Sequence, residues 1–169
     1  CVITICLPTV EAQYSFEFDT EVESIDTMLL GYFYGERQFL LDTTVRNEDG
    51  VFRVESEDTL KDGLYFLMNP GTTELAQFIV DSENEFDGLV IFDEDHKRIE
   101  FDDSEYNKVF NDYISFLNEM RAENNEFRTK AEGGLITKEQ AQEKLEKLDN
   151  KVKAKQNKLV GKYPGTLLA

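Results

Sequence analysis

Apolar and polar residues alternate with period two along the first part of this chain and with helical spacing along the rest. Tyr14, Phe16 and Phe18 are interleaved with Ser15, Glu17 and Asp19, which predicts a strand with one aromatic face. The stretch 27–55 predicts three more strands in succession, 27–34, 38–46 and 51–56. Turn signals stand between them at Gly35-Glu36-Arg37 and at Asn47-Glu48-Asp49-Gly50. An Asp-Gly pair between apolar runs favours a tight hairpin, because such a turn needs residues that tolerate positive φ. In the last of the three, Phe52 and Val54 face one way, and Val51, Arg53 and Glu55 the other. Lys61-Asp62-Gly63 is the next turn and 64–68 the next strand, ended by Asn69-Pro70-Gly71. Strand 75–81 follows. Asp87-Gly88 leads into strand 89–92, and the polar turn 93–96 closes a hairpin onto 98–101. Seven to eight short strands at this spacing predict an antiparallel β-sandwich or open barrel over residues 14–102.

Past Asp102 the period becomes helical. Tyr106, Val109, Phe110, Tyr113, Phe116, Leu117 and Met120 fall on one stripe. Ser104 suits an N-cap, and the acids at 102, 103 and 105 suit the positive end of a helix. This helix stops before Gly133-Gly134. A second begins at Thr137 with a capping box, Thr137-x-x-Gln140, and carries Ala141, Leu145, Leu148, Val152 and Leu159 as its stripe. Lys155 interrupts that stripe. A short Gly-Gly connection predicts an antiparallel helical hairpin over 103–163, so the fold class is α+β. Leu145, Leu148 and Val152 pack on the first helix or the β-domain, or serve as a docking face for a further domain. Pro164 ends the helix, and 164–169 reads as the start of a following element that continues past Ala169.

Residues 1–12 fit a different pattern. The run is apolar through Val10 and then reads Glu11-Ala12-Gln13, with small or branched residues at the −3 and −1 positions of a cleavage site. It is expected to be the remnant of a signal peptide, which places the mature protein in the periplasm or cell envelope. A lipid anchor at Cys1 is the alternative. No run of about 20 apolar residues exists to span a membrane.

Composition narrows the function classes. The chain has 35 acidic and 18 basic residues, a formal net charge of −17. That balance argues against a nucleic-acid partner and against docking on anionic lipid. The only cysteines are Cys1 and Cys6, so no thiol pair or zinc knuckle is expected in the mature chain. The alternating acids Asp81, Glu83, Glu85 and Asp87 invite comparison with a calcium loop. Phe86 and Phe92 occupy the places of the required glycine and bidentate glutamate, so a polar hairpin loop is the better reading. His96 is the single histidine and has no cysteine partner for a zinc site. Asp93, Glu94 and Asp95 are adjacent on a turn, where carboxylates seldom converge across a cleft. No phosphate loop, nucleophile elbow or Ser/His/Asp set is present. No catalytic residue, metal ligand or cofactor is therefore assigned. Tyr32, Phe33, Tyr34, Phe39, Tyr65 and Phe66 either line a sugar- or peptide-binding platform or fill the core; strand spacing favours the core.

Several steps in the sequence together resemble a family. They are the aromatic strand before Gly35, Leu41-Asp42-Thr43, Gly50, Gly63-Leu64-Tyr65, Ile79-Val80-Asp81, Ser104-x-x-Asn107, and Lys162-Tyr163-Pro164 before Thr166. This arrangement resembles the N-terminal region of Bacteroidetes envelope thiol–disulfide oxidoreductases of the AhpC/TSA, thioredoxin-like type. The resemblance runs from Tyr14 to the end of the chain. It implies a signal peptide, a β-domain of unassigned function, a helical segment, and then a thioredoxin-like domain with a Cys-x-x-Cys site. That last domain lies outside this sequence, so no catalytic residue carries over. The resemblance implies a non-enzymatic module that positions or recruits partners, such as envelope protein substrates, for the redox domain of the same full-length chain. A free-standing envelope module that binds glycan or peptide is the alternative, and a hydrolase with an unrecognised carboxylate site is a more distant one.

Overall fold

The computed structural model describes residues 14–56, 60–72, 75–81, 85–92 and 97–168. The chain divides into two compact units between Ser104 and Glu105. The first is a β-sandwich of eight described strands: β1 Tyr14–Asp19, β2 Thr27–Tyr34, β3 Arg37–Val45, β4 Phe52–Ser56, β5 Gly63–Met68, β6 Leu75–Val80, β7 Glu85–Phe92 and β8 Lys97–Phe101. One sheet has the order β4-β1-β7-β8 and the other β3-β2-β5-β6.

Alternation decides which side chains lie between the sheets. Phe16 and Phe18 of β1, Phe52 and Val54 of β4, Phe86 and Val90 of β7, and Ile99 and Phe101 of β8 come from the first sheet. Met28 and Leu30 of β2, Tyr65 and Leu67 of β5, and Ala76, Phe78 and Val80 of β6 come from the second. Phe16 stacks on Phe86 with centroids 4.3 Å apart, and Phe78 reaches across from β6 to meet Phe16, Phe18 and Phe86 at 5.9, 5.6 and 5.6 Å. Offset and edge-on ring packing of this kind adds to the burial of apolar area.

Three features differ from the antiparallel strands and hairpin turns that the sequence suggests. The Asn47–Gly50 turn forms as expected: Gly50 has φ of 88°, and the Asn47 side chain accepts from the N–H groups of Asp49 and Val51, each at 3.0 Å. Yet β3 and β4 do not form a hairpin ladder. One bridge, Arg46 to Phe52, joins them before they part into different sheets. The corner is tied by the buried Thr44 hydroxyl, which donates to the Arg53 carbonyl at 2.9 Å. Arg46 also donates to the carbonyls of Ile25 and Val22, at 3.2 and 3.1 Å, with its guanidinium over Phe52. Second, β7 starts at Glu85, four residues before the strand expected at Leu89, so Asp87-Gly88 is strand interior and not a turn. Gly88 lies beneath Ile99, whose methyl would be 2.4 Å from a Cβ there. Third, β1 pairs with β7 in parallel, so the sandwich is not wholly antiparallel.

The second unit is an antiparallel hairpin of α1 Glu105–Glu132 and α2 Lys138–Lys162. The glycine stop of α1 and the capping box of α2 form as predicted. Gly134 has φ of 70°, Leu135 N–H bonds the Lys130 carbonyl and Gly134 N–H that of Ala131, so these two carbonyls near the end of α1 are satisfied. Thr137 and Gln140 exchange the two bonds of a capping box at 2.9 and 3.2 Å. The helices meet along a ladder: Tyr106 on Tyr163, Tyr113 hydroxyl on Gln156, Phe116 under Lys155, Glu123 near Lys151, and Phe127 under Lys144. Leu148 is buried, and Leu145 and Val152 are half-buried. Lys155 interrupts the apolar stripe because its ammonium lies over the Phe116 ring, 5.7 Å from the centroid. After Tyr163 the described residues form turns through Leu168 and no further helix. Among the described residues no helix is long and apolar enough to cross a membrane.

Residues 1–13, which hold Cys1, Cys6 and the expected signal-peptide remnant, the acid Glu83, and Asp93, Glu94, Asp95 and His96 lie outside the described residues.

Candidate functional site

An aromatic groove opens where β2 and β3 meet the segment that leads into β5. Its volume is about 610 Å³, within the range of small-ligand clefts. Tyr32, Phe33 and Tyr34 of β2, Phe39 and Leu41 of β3, Leu60, Lys61 and Asp62 of the connecting segment, and Gly63 and Tyr65 of β5 line it. The Tyr32 and Phe39 rings stack at 5.5 Å and 20°, and Tyr65 lies 6.2 Å beyond Tyr32. Tyr65 in turn touches Phe78, so the floor of the groove is continuous with the core. The Tyr65 hydroxyl donates to the Lys61 carbonyl at 2.8 Å. Burial, then the nearby Tyr14, raises its pKa above the ordinary tyrosine value, so it stays a neutral donor. The rim is apolar and wet: Tyr34 is 76% exposed, and Phe39 and Leu41 are 39% and 42% exposed.

Five of the six aromatics considered for a platform therefore line one groove. The sixth, Phe66, is buried on the opposite face of the sheet, edge-on to Phe33 at 5.2 Å. Its ring lies over Gly31, where a Cβ would stand 2.2 Å from Phe66 Cζ and 2.7 Å from the Phe39 carbonyl oxygen. The ladder between β2 and β3 slips at this point: Leu30 pairs with Asp42 but Gly31 with Leu40, leaving Leu41 as the extra residue. A bulge of this kind re-aims a side chain; here Leu41 joins Phe39 at the groove. The leucine doublet in Gln38-Phe39-Leu40-Leu41-Asp42 is the sequence signal for the slip, since it breaks strict alternation.

The charge is divided unevenly. Residues 14–104 hold 24 acids and 6 bases, a net −18, whereas 105–169 hold 10 acids and 12 bases. Part of the sandwich's negative charge gathers on the outer face of its first sheet. Glu17 pairs across the ladder with both Arg53 and Asp87, and Arg53 forms an ion pair with Glu17. The Asp87 N–H donates to the Asp103 carboxylate at 3.3 Å. Desolvation first, then the charges of Asp103, Glu17 and Asp102, raise the pKa of Asp87. Among the described residues no group of three or more His, Cys, Asp or Glu side chains is placed to hold a metal ion. A raised folded-state pKa means that Asp87 binds its proton more tightly in the folded protein. Its contribution to stability is full below its unfolded pKa and is lost as pH rises through the higher folded value. Asp87→Asn should therefore raise the melting temperature at pH 7 and change it little at pH 3, and added salt should shrink the gain. Differential scanning calorimetry at the two pH values checks this; a lower melting temperature at pH 7 would reverse the sign assigned here.

Of the residues considered as a docking face, Leu148 is buried, while Leu145 and Val152 keep partial exposure. Two polar side chains that the sequence did not single out as buried, Ser104 and Asn107, are 1% and 0% exposed. No protein-family model matches this chain, and a search of curated proteins finds no match.

Proposed function

We propose that this chain is the non-catalytic accessory portion of an exported thioredoxin-like thiol–disulfide oxidoreductase, and that its sandwich recruits or positions partners for a redox domain that follows it. The groove lined by Tyr32, Tyr34, Phe39 and Tyr65 is the observation that carries recruitment, because it offers wet apolar surface that a core would have covered. The link to redox chemistry comes from the resemblance described above. Several of its steps also have structural reasons: Leu41-Asp42-Thr43 spans the bulge, Gly50 turns between the sheets, and Gly63-Leu64-Tyr65 opens β5 beneath the groove. Dithiol exchange needs a thiolate and a second cysteine to resolve the mixed disulfide. Residues 13–169 contain no cysteine. They should therefore show no reductase or oxidase turnover at any pH, and the reading frame past Ala169 should encode a Cys-x-x-Cys at a helix N-terminus within a thioredoxin-like pattern. Export with cleavage after Ala12 belongs to the same reading and gives a mature N-terminus at Gln13. A stop codon soon after Ala169, with no cysteine pair downstream, would remove the oxidoreductase assignment. The groove would then favour the second reading, a free-standing envelope module that binds glycan or peptide.

A further inference from the structure

We propose that the outer edge of β3 and the aromatic groove beside it bind an extended, basic-flanked polypeptide segment by adding it as a further strand to the sheet β3-β2-β5-β6. The inference rests on the recruitment reading above and names the partner class of that site.

Four observations carry it. Among the described residues β3 pairs along its length with β2 alone, and it stands at the end of its sheet. Among the described residues it is the longest strand, nine residues, and the seven from Arg37 to Thr43 are all exposed. An edge strand presents a row of unpaired backbone N–H and C=O groups, and natural proteins guard such edges with charges or prolines. Here the exposed run holds Phe39, Leu40 and Leu41, with only Arg37 and Asp42 as charges, and Val45 follows at 65% exposed.

The third observation is the alignment of edge and groove. Phe39 and Leu41 belong to both, so a strand laid along β3 would carry its alternate side chains over the groove. Those side chains would meet Tyr32, Tyr34 and Tyr65. Backbone hydrogen bonds to the edge supply affinity in this mode, and pockets for alternate side chains supply selectivity.

The fourth is charge. Among the described residues the groove is lined by one cation and one anion, Lys61 and Asp62, a balanced pair. The sandwich around it carries a net −18, and that field draws cationic segments and repels acidic ones. A sugar would rely on side-chain partners at the groove, where the Tyr65 hydroxyl already donates to the Lys61 carbonyl and keeps only its acceptor capacity. An extended peptide finds its hydrogen-bond partners on the β3 backbone instead.

The test uses the full chain and two fluorescein-labelled peptides of about ten residues, long enough for one strand. Both alternate valine with phenylalanine and threonine; one has lysine pairs at its ends and the other glutamate pairs. By fluorescence anisotropy at low salt the lysine-flanked peptide should bind at least about tenfold more tightly than the glutamate-flanked one, and salt should narrow the gap. Hydrogen exchange should show new protection over 37–45. Leu41→Lys places a charge on the edge at a side chain already 42% exposed, so the fold is retained, and it should weaken binding by about tenfold or more. Tyr34→Ala, 76% exposed, tests the groove in the same way. Lack of peptide binding would overturn the proposal, as would binding that leaves 37–45 unprotected or is indifferent to Leu41→Lys. Binding of a neutral glucan oligosaccharide lost in Tyr34→Ala, without peptide binding, would assign the groove to glycans. Micromolar self-association abolished by Leu41→Lys would assign the edge to a second copy of the chain. Failure of the oxidoreductase reading is seen separately: a stop codon after Ala169 with peptide binding intact removes the redox partner and leaves this inference standing.

Discussion

Phe78→Ala should lower the unfolding free energy of the sandwich by about 3–5 kcal/mol. Phe78 is fully buried on β6 and is the ring of the second sheet that touches Phe16, Phe18 and Phe86 of the first. It also backs Tyr65, at 5.8 Å, so its removal opens a cavity between the sheets and beneath the groove. The aromatic neighbours are locked against one another and have little room to collapse into the space, which sets the cost at the upper part of the range for truncated aromatics. A domain of this size is typically stable by about 5–15 kcal/mol, so the loss is a large share of the whole. The chain has no tryptophan, so urea unfolding followed by far-ultraviolet circular dichroism is the suitable readout. Phe78→Leu should cost well under half as much. A loss below about 1 kcal/mol for Phe78→Ala would mean that the two sheets close up over the gap.

Leu148→Asp should unfold the helical hairpin or cost it about 2–5 kcal/mol from lost packing alone, with a further cost for bringing a carboxylate into the contact. Leu148 is 5% exposed and lies along α2 between two rungs of the ladder, Lys144 over Phe127 and Lys151 near Glu123. The polar faces contribute little to offset this. Their ion pairs, Glu126 with Lys130, Glu143 with Lys147 and Asp149 with Lys153, are exposed i,i+4 pairs that solvent screens. A helix so rich in charge holds its shape mainly through its apolar stripe. Loss of helical signal at 222 nm in Leu148→Asp, beside an unchanged spectrum in Val160→Asp at a 48% exposed position, is the expected pair of results. An unperturbed Leu148→Asp would mean that the stripe tolerates water and is available to a partner.

Features set by neighbours in sequence were legible without a structure. The aromatic face of Tyr14, Phe16 and Phe18, the capping box of Thr137 and Gln140, and the glycine stop of α1 each depend on a few adjacent residues. Features set by distant partners were not. Glu85 to Gly88 looks like a polar turn, and becomes strand because β1 pairs with it from about seventy residues away and Ile99 covers Gly88. The parting of β3 and β4 into separate sheets is hidden for the same reason: the Asp-Gly turn fixes a reversal but not what each strand pairs with next. The groove was half visible. Its aromatics were conspicuous, and the Leu40-Leu41 doublet marks the slip, but which rings stay wet depends on β3 being an edge, which no local pattern encodes.

The parallel pairing of β1 with β7 also sets an order of events in folding. Strand β1 sits inside its sheet between β4 and β7, and β7 is made late in the chain. While the polypeptide emerges amino end first, one flank of β1 has no partner until Glu85 to Phe92 are present. Closing so long a loop is slow, because its entropy is lost before the contacts that reward it are made. Phe16 and Phe18 therefore remain uncovered for much of synthesis, on a segment of strong strand character. A nascent chain in that state is a natural client for a holding chaperone, and refolding at high concentration should yield aggregates nucleated by this strand before it yields a sandwich.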